Sequence, residues 1–231
     1  MTNRKMTRFL FLVSISFVFG LFSGSKVMAD ELVEPQLAIQ TVSIKLKENL
    51  KDESFINDFS KVNQFVKEVI EPHTDFEKIA KLVVGKYWRS ATDEQQKAFI
   101  AEFKTLLIRT YSRAFIDFND WSMVFLPLDM KTAVKKAKNK KGDVIKSVMI
   151  RTKILQPGRP AFPISYKMWL VDGTWKTYDI VIEGISLVKN YRSSIGTRIK
   201  HSKSGLSEVT EFLAGKNKAA LAKKQDKDDF S

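Results

Sequence analysis

The spacing of apolar residues changes near residue 122, and this change constrains the fold more than any other feature of the chain. Before it, apolar side chains recur at steps of three and four, which is typical of helices with one buried face. After it, they alternate with polar residues, which is typical of strands with one buried face. A helical part followed by a stranded part predicts an α+β fold.

The helical part divides at polar and proline positions. The segments from Pro35 to about Leu50 and from Ser54 to about Ile70 predict two helices, and Pro72 ends the second. Asp75 is a suitable cap for a short helix that Gly85 then terminates.

A long helix is predicted after Thr92, because Thr92 and Gln95 have the spacing of a capping box. The apolar residues behind this cap recur at helical spacing and predict one continuous face. They are Phe99, Phe103, Leu106, Leu107, Tyr111, Ala114, Phe115 and Phe118.

The alternating part predicts a meander of four antiparallel strands. The strands cover approximately residues 122–134, 144–155, 162–170 and 174–183. A charged tip at 139–143, a turn at 157–160 and the Asp172-Gly173 hairpin signal connect them. In the first strand the alternation assigns one face to Val124, Leu126, Leu128, Met130, Thr132 and Val134.

The segment YDIVIEGISLVKNYR, residues 178–192, combines the end of the last strand with the start of a helix near Ser186. It is apolar almost throughout, so another surface or a ligand must cover it. A last short helix is predicted near Ser204. The expected architecture is therefore a set of helices packed on one face of a curved antiparallel sheet.

Residues 1–29 have the composition of a secretory signal peptide. Arg4, Lys5 and Arg8 precede an apolar run, and Val27 and Ala29 provide small residues for cleavage after Ala29. The run is shorter than the roughly 20 residues that a bilayer span needs. We therefore expect a periplasmic protein with a domain over 30–215 and a disordered Lys-rich tail over 216–231.

The charge of the chain favours anionic partners. The net charge is +13, and the signal segment carries four basic residues and no acid, so the mature chain has a charge of +9. The basic runs at 135–143 and 216–229 contain no aromatic residue, which argues against nucleic acid as a partner. The chain has no cysteine, so no disulfide stabilises the fold.

No catalytic or metal-binding motif is present in the sequence. A nucleophile elbow, a phosphate-binding glycine loop and a dinucleotide fingerprint are all missing. His73 and His201 are far apart in sequence, and a metal site needs clustered ligands. We therefore predict no metal and no cofactor.

A small-molecule enzyme with an apolar cavity remains an alternative. Such a site can work with a carboxylate and a tyrosine, and Tyr178, Asp179 and Glu183 are the candidates. Regular alternation puts Asp179 and Glu183 on the strand face opposite to Ile180 and Ile182. We expect that face to be the solvated outer one.

Two segments carry a resemblance to a known family. They are residues 75–115, with Gly85 to Trp88 and the Thr92-capped helix, and residues 172–195, with the pattern WKxYDxxxEGxSLVxNYR. In combination they resemble the MlaC, or toluene-tolerance, family of periplasmic phospholipid-binding proteins. The resemblance extends from about Pro35 to Leu213.

This resemblance implies an NTF2-like fold in which a cleft between the helices and a four-stranded sheet takes acyl chains. It implies a shuttle that carries phospholipid between the outer and inner membranes, with bound phospholipid as its ligand and no catalytic residue. The implied partners are an inner-membrane ABC transporter complex with an MCE-domain subunit and an outer-membrane lipoprotein–porin complex. We expect a monomer.

The apolar faces predict which residues line such a cleft, provided that each strand has the expected register. They are Leu82, Val83, Phe99, Phe103, Leu106, Leu107, Tyr111, Phe115, Met168, Leu170, Ile180, Ile182, Ile185, Leu187 and Val188.

Two further features are left open by the resemblance. The segment from Lys131 to Lys141 lies outside the family pattern, so a basic adaptor without a ligand is a third alternative. Arg192 matches the pattern, and we expect it to pair with a carboxylate such as Glu183.

Overall fold

The structure is a computed structural model that describes residues 32–112, 120–139 and 142–228. Its first part is helical: α1 (Glu34–Asn49), α2 (Glu53–Asn57), α3 (Phe59–Phe65), a π-helical turn (Val66–Ile70) and a 3₁₀ turn (Glu71–His73). The second predicted helix is divided because the Asp58 carboxylate accepts hydrogen bonds from the backbone N–H groups of Ser60 and Lys61, which starts α3. The predicted signal peptide, residues 1–29, lies outside the described residues.

The next two helices begin at the predicted caps. Helix α4 is Phe76–Val84, and the Asp75 carboxylate accepts a 2.8 Å bond from the Lys78 N–H. Gly85 ends α4 with φ +67°, a conformation that favours glycine. A 3₁₀ turn over Gly85–Ser90 leads to α5, Asp93–Ser112.

The capping box of α5 is confirmed. The Gln95 side chain accepts a 2.9 Å bond from the Thr92 N–H, and the Thr92 hydroxyl accepts a 3.3 Å bond from the Gln95 N–H. This reciprocal pair fixes where α5 starts.

The second part of the chain forms an antiparallel sheet. Its strands are β1 (Ser122–Phe125), β2 (Lys135–Lys138), β3 (Val144–Gln156), β4 (Arg159–Val171), β5 (Thr174–Ile182) and β6 (Ile185–Ser186). Their order is β1-β3-β4-β5-β6, and β2 also pairs with β3. The long meander of β3, β4 and β5 confirms three of the predicted strands, and the Asp172-Gly173 turn has the positive φ angles of the predicted hairpin.

The prediction of one long strand over 122–134 is wrong. Pro127 interrupts it, and the Asp129 carboxylate accepts a bond from the Lys131 N–H to start a short helix, α6 (Met130–Ala133). The strand is therefore split into β1 and β2. The assigned face is also wrong for β1, because Met123 and Phe125 pack inside whereas Val124 is exposed.

Two helices close the chain. Helix α7 is Leu187–His201, with the Ser186 hydroxyl as its cap, and α8 is Leu206–Asp228. The sequence analysis begins the C-terminal tail at Lys216, whereas α8 continues through this position to Asp228. Asn217 is buried there and donates hydrogen bonds to the backbone carbonyl and the carboxylate of Glu102, which attach this part of α8 to α5.

Three buried clusters hold the described residues together. One joins α4, α5, α7 and α8 around Val83, Phe99, Phe103 and Val209. A second joins α1 to the sheet through Ile39, Val148, Ile150, Met168 and Trp175. A third joins α2, α3 and α5 through Phe55, Phe65 and Ile108. No helix in the described part of the chain has the length and apolar character to cross a membrane.

Candidate functional site

The inner face of the sheet is the face that packs against α1. An irregularity in β5 determines which side chains of that strand lie on this face. Met168 pairs with Thr177, whereas Lys167 pairs with Asp179, so Tyr178 is the extra residue of a β-bulge. Directly paired residues point to the same face of a sheet. Thr177 therefore points to the inner face, Asp179 points to the opposite face, and Ile180 points to the inner face again.

The inner face continues beyond the bulge with apolar residues. Ile180 pairs with Tyr166, and Ile182 pairs with both Ile164 and Ile185. Phe162 lies two residues before Ile164 on the same face. We call Phe162, Ile164, Ile180, Ile182 and Ile185 the apolar patch.

Burial of this face decreases along β4, β5 and β6. Ile150 and Met168 are fully buried under α1, whereas Phe162, Ile164, Ile180 and Ile182 are only half-buried, and Ile185 is 64% exposed. None of the five belongs to the three buried clusters that the described residues form. The apolar patch is thus the least covered part of the inner face on β4, β5 and β6, whereas Thr152 and Ile154, their neighbours on β3, are buried.

A polar pair borders the apolar patch. Burial raises the pKa of Tyr166 to about 12, so its hydroxyl remains neutral at physiological pH. Beside it, the buried Thr152 hydroxyl donates a 3.0 Å bond to the Ile164 carbonyl. The Thr152 hydroxyl has a hydrogen-bond acceptor and the Tyr166 hydroxyl is uncharged, so neither group makes this part of the face strongly polar.

The opposite face at the bulge carries a buried ion pair. Asp179 is 4% exposed, and its Oδ2 accepts 2.7 Å bonds from both Lys167 Nζ and Ser186 Oγ. Its Oδ1 accepts a 3.1 Å bond from the Val188 N–H. Asp179 therefore connects β4 and β5 to the first turn of α7.

The residues proposed for an enzymatic site do not form a joint site. The prediction that Asp179 lies on a solvated face is wrong, because α7 covers it, and its two oxygens bind structural donors. Glu183 is exposed in the turn between β5 and β6, with φ +48°. Tyr178 is half-buried at the bulge, and burial raises its pKa.

Several predicted cleft residues lie in the helical cluster instead of on the sheet. Phe99 and Phe103 are almost fully buried with their rings 5.5 Å apart, and Phe103 contacts Tyr191 edge to face. The remaining members of this group are Leu82, Val83, Leu106, Leu107 and Val188. Their packing against α4, α7 and α8 is a structural role, and their contact with a ligand stays a prediction.

The other predicted residues are distributed over several elements. Met168 and Leu170 belong to the sheet cluster, and Leu187 is half-buried at the start of α7. Tyr111 is half-buried near the end of α5, and burial and then a hydrogen bond with Tyr191 raise its pKa. Phe115 lies outside the described residues.

The structure brings Ile180, Ile182 and Ile185 together with two residues that the sequence analysis did not select, Phe162 and Ile164. Their alternation with Met168 was visible in the third predicted strand. The missing information was the bulge at Tyr178, which aligns them with Ile180.

Arg192 does not pair with Glu183 as expected. Its guanidinium donates a 3.2 Å bond to the Leu82 carbonyl in the last turn of α4. It also lies against Gly85, where an added Cβ would be 3.1 Å from Arg192 Nη2. Arg192 thus joins α7 to the C-terminal end of α4, which is a favourable place for a cation.

A separate groove of about 470 Å³ lies between α3, α5 and α8. Its lining is mixed: Phe59 and Leu221 are apolar, whereas Glu102, Asn217 and Lys218 are polar or charged. It contains none of the predicted cleft residues. No group of three or more His, Asp or Glu side chains within the described ranges could hold a metal ion.

Comparison with known proteins gives relatives with consistent descriptions. A sequence model described as MlaC protein matches residues 40–215. The chain is 24% identical over 148 residues to Toluene tolerance protein ttg2D of Pseudomonas putida, which is 64% of this chain and 63% of that protein. It is 24% identical over 181 residues to the intermembrane phospholipid transport system binding protein MlaC of Haemophilus influenzae, which is 76% of this chain and 79% of that protein.

A solved structure has a similar fold. It is a phospholipid-binding protein from Ralstonia solanacearum in complex with a phospholipid, with a TM-score of 0.68 and 25% identity. The match covers 82% of this chain and 99% of the other. The expected α+β fold class, with helices against an antiparallel sheet, is confirmed. From the match of the family model over 40–215, the chain belongs to the MlaC family.

Proposed function

We propose that this chain is a periplasmic phospholipid carrier whose apolar patch contacts the acyl chains of one bound phospholipid. The observation that carries this proposal is the decrease in burial of the inner sheet face along β4, β5 and β6, from the filled region at Met168 to the exposed Ile185. The phospholipid in the similar Ralstonia solanacearum structure supports it.

The physical need for a carrier follows from the hydrophobic effect. Each methylene transferred out of water contributes about 0.8 kcal/mol, so two acyl chains with about 30 methylenes contribute about 24 kcal/mol. A free phospholipid therefore does not diffuse through water at a useful rate. A cleft that buries the chains as well as a bilayer does makes exchange between carrier and membrane nearly neutral in free energy.

Such a carrier needs no catalytic residue. The hydrogen bonds and ion pair of Asp179 are consistent with this, because they occupy both oxygens of the carboxylate that the enzymatic alternative requires. The proposal accordingly assigns no reaction to the chain.

The direction of transport in this proposal comes from partners that bind the loaded and empty forms differently. We propose an inner-membrane ABC transporter complex with an MCE-domain subunit at one membrane and a lipoprotein–porin complex at the other. Export by the predicted signal peptide, residues 1–29, would deliver the chain, as a monomer, to the space between them.

The experiment that tests the proposal is native mass spectrometry of the mature chain, purified from periplasm without detergent. Solvent extraction then identifies whatever the chain holds. The proposal predicts a mass increase of one phospholipid per chain. An unliganded mass, together with failure to take up added phospholipid, would overturn it.

A further inference from the structure

The hairpin of β2 and β3 carries a concentration of positive charge that the lipid cleft does not explain. Between residues 130 and 147 the described part contains five lysines and a single acid, Asp143. Every residue of β2 is exposed. The segment from 130 to 147 contains no arginine and no aromatic residue.

The register assigns three of these lysines to one face of the hairpin. Lys136 pairs directly with Lys146, and Lys138 pairs with Val144, two residues further along each strand. Side chains two residues apart point to the same face of a strand. Lys136, Lys138, Lys146 and Val144 therefore share a face, and Val144 is 57% exposed.

This face is electrostatically unfavourable in isolation. Two lysines directly opposite each other in an antiparallel pair repel. No ion pair within the described ranges connects Lys136, Lys138 or Lys146 to a carboxylate. An external anionic surface would remove this repulsion.

We propose that this hairpin face docks on the surface of an anionic phospholipid bilayer. Lysine is a flexible, strongly hydrated point charge, which suits a diffuse layer of phosphate groups better than the bidentate recognition that arginine provides. An exposed valine among lysines suits the boundary between head groups and acyl chains. Each basic residue near such a surface contributes about a fivefold factor to the partition coefficient.

The docking face is remote from the apolar patch. The hairpin tip is at the end of the sheet where β4 turns into β5, whereas Phe162, Ile182 and Ile185 are at the other end. Strand β3 separates the two ends with 13 residues, or roughly 40 Å. Docking on a bilayer is thus a property distinct from the binding of a phospholipid in the cleft.

Edge protection is the competing explanation for the lysines. Strand β2 is an edge strand, and charged side chains on edges prevent pairing with other chains. Replacing Lys136 and Lys138 by glutamate retains charge at the edge but reverses its sign, so this double substitution separates the two explanations. The hairpin should remain folded, because the carboxylate that K136E introduces would face the Lys146 ammonium favourably.

The experiment is sedimentation of the mature chain with vesicles of phosphatidylglycerol and phosphatidylethanolamine, compared with vesicles of phosphatidylcholine. We expect binding to the anionic vesicles alone and a decrease of at least about 25-fold in partition for K136E/K138E. The K136R/K138R variant should bind as the wild type does. As a control, K97E/K200E changes the net charge equally at exposed positions outside the hairpin, and should bind within about threefold of the wild type, since salt screens distant charges.

Three results would overturn the docking proposal: no preference of the wild type for anionic vesicles, full binding by K136E/K138E, or an equal loss in K97E/K200E. A circular dichroism spectrum of each variant establishes that it is folded. Native mass spectrometry of K136E/K138E should still detect bound phospholipid, so failure of the docking proposal and failure of the carrier proposal give different results.

Discussion

The ammonium of Lys167 lies 2.7 Å from the carboxylate of Asp179 across strands β4 and β5. The same carboxylate oxygen accepts a bond from Ser186, and the other binds the Val188 N–H at the start of α7. One buried acid thereby fixes both the strand pairing beside the bulge and the position of a helix.

Removing the cation of this pair should destabilise the fold. Lys167→Met leaves Asp179 buried without its counter-ion, and we expect a loss of about 2 to 3 kcal/mol in the free energy of unfolding, because the lysine itself is partly exposed. Lys61→Met is the matched control, since the pair of Lys61 with Asp52 is on the surface and its removal should have a much smaller effect. Urea denaturation measures both; equal losses would show that the Asp179 pair has no special importance.

The Gly85 position should tolerate alanine poorly for two reasons. Its backbone angles, φ +67° and ψ −126°, lie outside the left-handed helical region and strongly favour glycine, and the new Cβ would displace Arg192 from the Leu82 carbonyl. Gly158→Ala is the comparison, because its φ is also positive, at +70°, and no atom lies within 4 Å of the added Cβ. We expect Gly85→Ala to be the more destabilising by about 1 kcal/mol in chemical denaturation. Equal effects would contradict the account of Gly85 as a position where both the backbone and the contact with Arg192 require glycine.

The capping box of α5 gives a prediction that depends on local structure alone. Thr92→Ala removes the acceptor for the Gln95 N–H and should lower the free energy of unfolding by about 1 kcal/mol. Thr110→Ala, at an exposed position on the same helix, should leave it nearly unchanged. A thermal unfolding comparison in which Thr92→Ala matches the wild type would contradict the assigned start of α5.

Tyr166 should contribute to unfolding at alkaline pH. Its pKa is raised from 10.0 to about 12 in the folded state, so its contribution to stability is complete below pH 10 and is lost as the pH rises through 12. Tyr166→Phe should therefore lose less stability than the wild type over that range. The difference between their melting temperatures, measured from pH 9 to pH 12, isolates Tyr166 from other groups, because those groups titrate in both proteins. A constant difference would contradict the burial of the hydroxyl.

The sequence alone was sufficient to predict structural features that depend on residues close together in the chain. Thr92 and Gln95 are three residues apart, and Asp172 and Gly173 form their own turn, so short-range hydrogen bonds and backbone preferences determine both features. The α+β order also follows from the change in hydrophobic period at residue 122. These features needed no knowledge of which elements pack together.

To predict which face of the sheet each strand residue occupies, information is needed that the alternation of apolar and polar residues does not contain. The bulge at Tyr178 exists because Lys167 pairs with Asp179 while Met168 pairs with Thr177, and this offset depends on two strands and on α7. The role of Asp179 likewise depends on Ser186 and Val188, in elements that follow it. The apolar patch was therefore only partly predictable, with Phe162 and Ile164 missed.

Native mass spectrometry of two matched variants tests the central claim most directly. Ile182→Glu puts a charge into the apolar patch, whereas Val124→Glu puts the same charge at an exposed apolar position of β1. After purification without detergent, the wild type and Val124→Glu should each carry one phospholipid, and Ile182→Glu should carry none while remaining folded, since an ionised carboxylate among acyl chains is strongly disfavoured. A folded Ile182→Glu variant that carries as much phospholipid as the wild type would contradict the assignment of the apolar patch as the acyl-chain site.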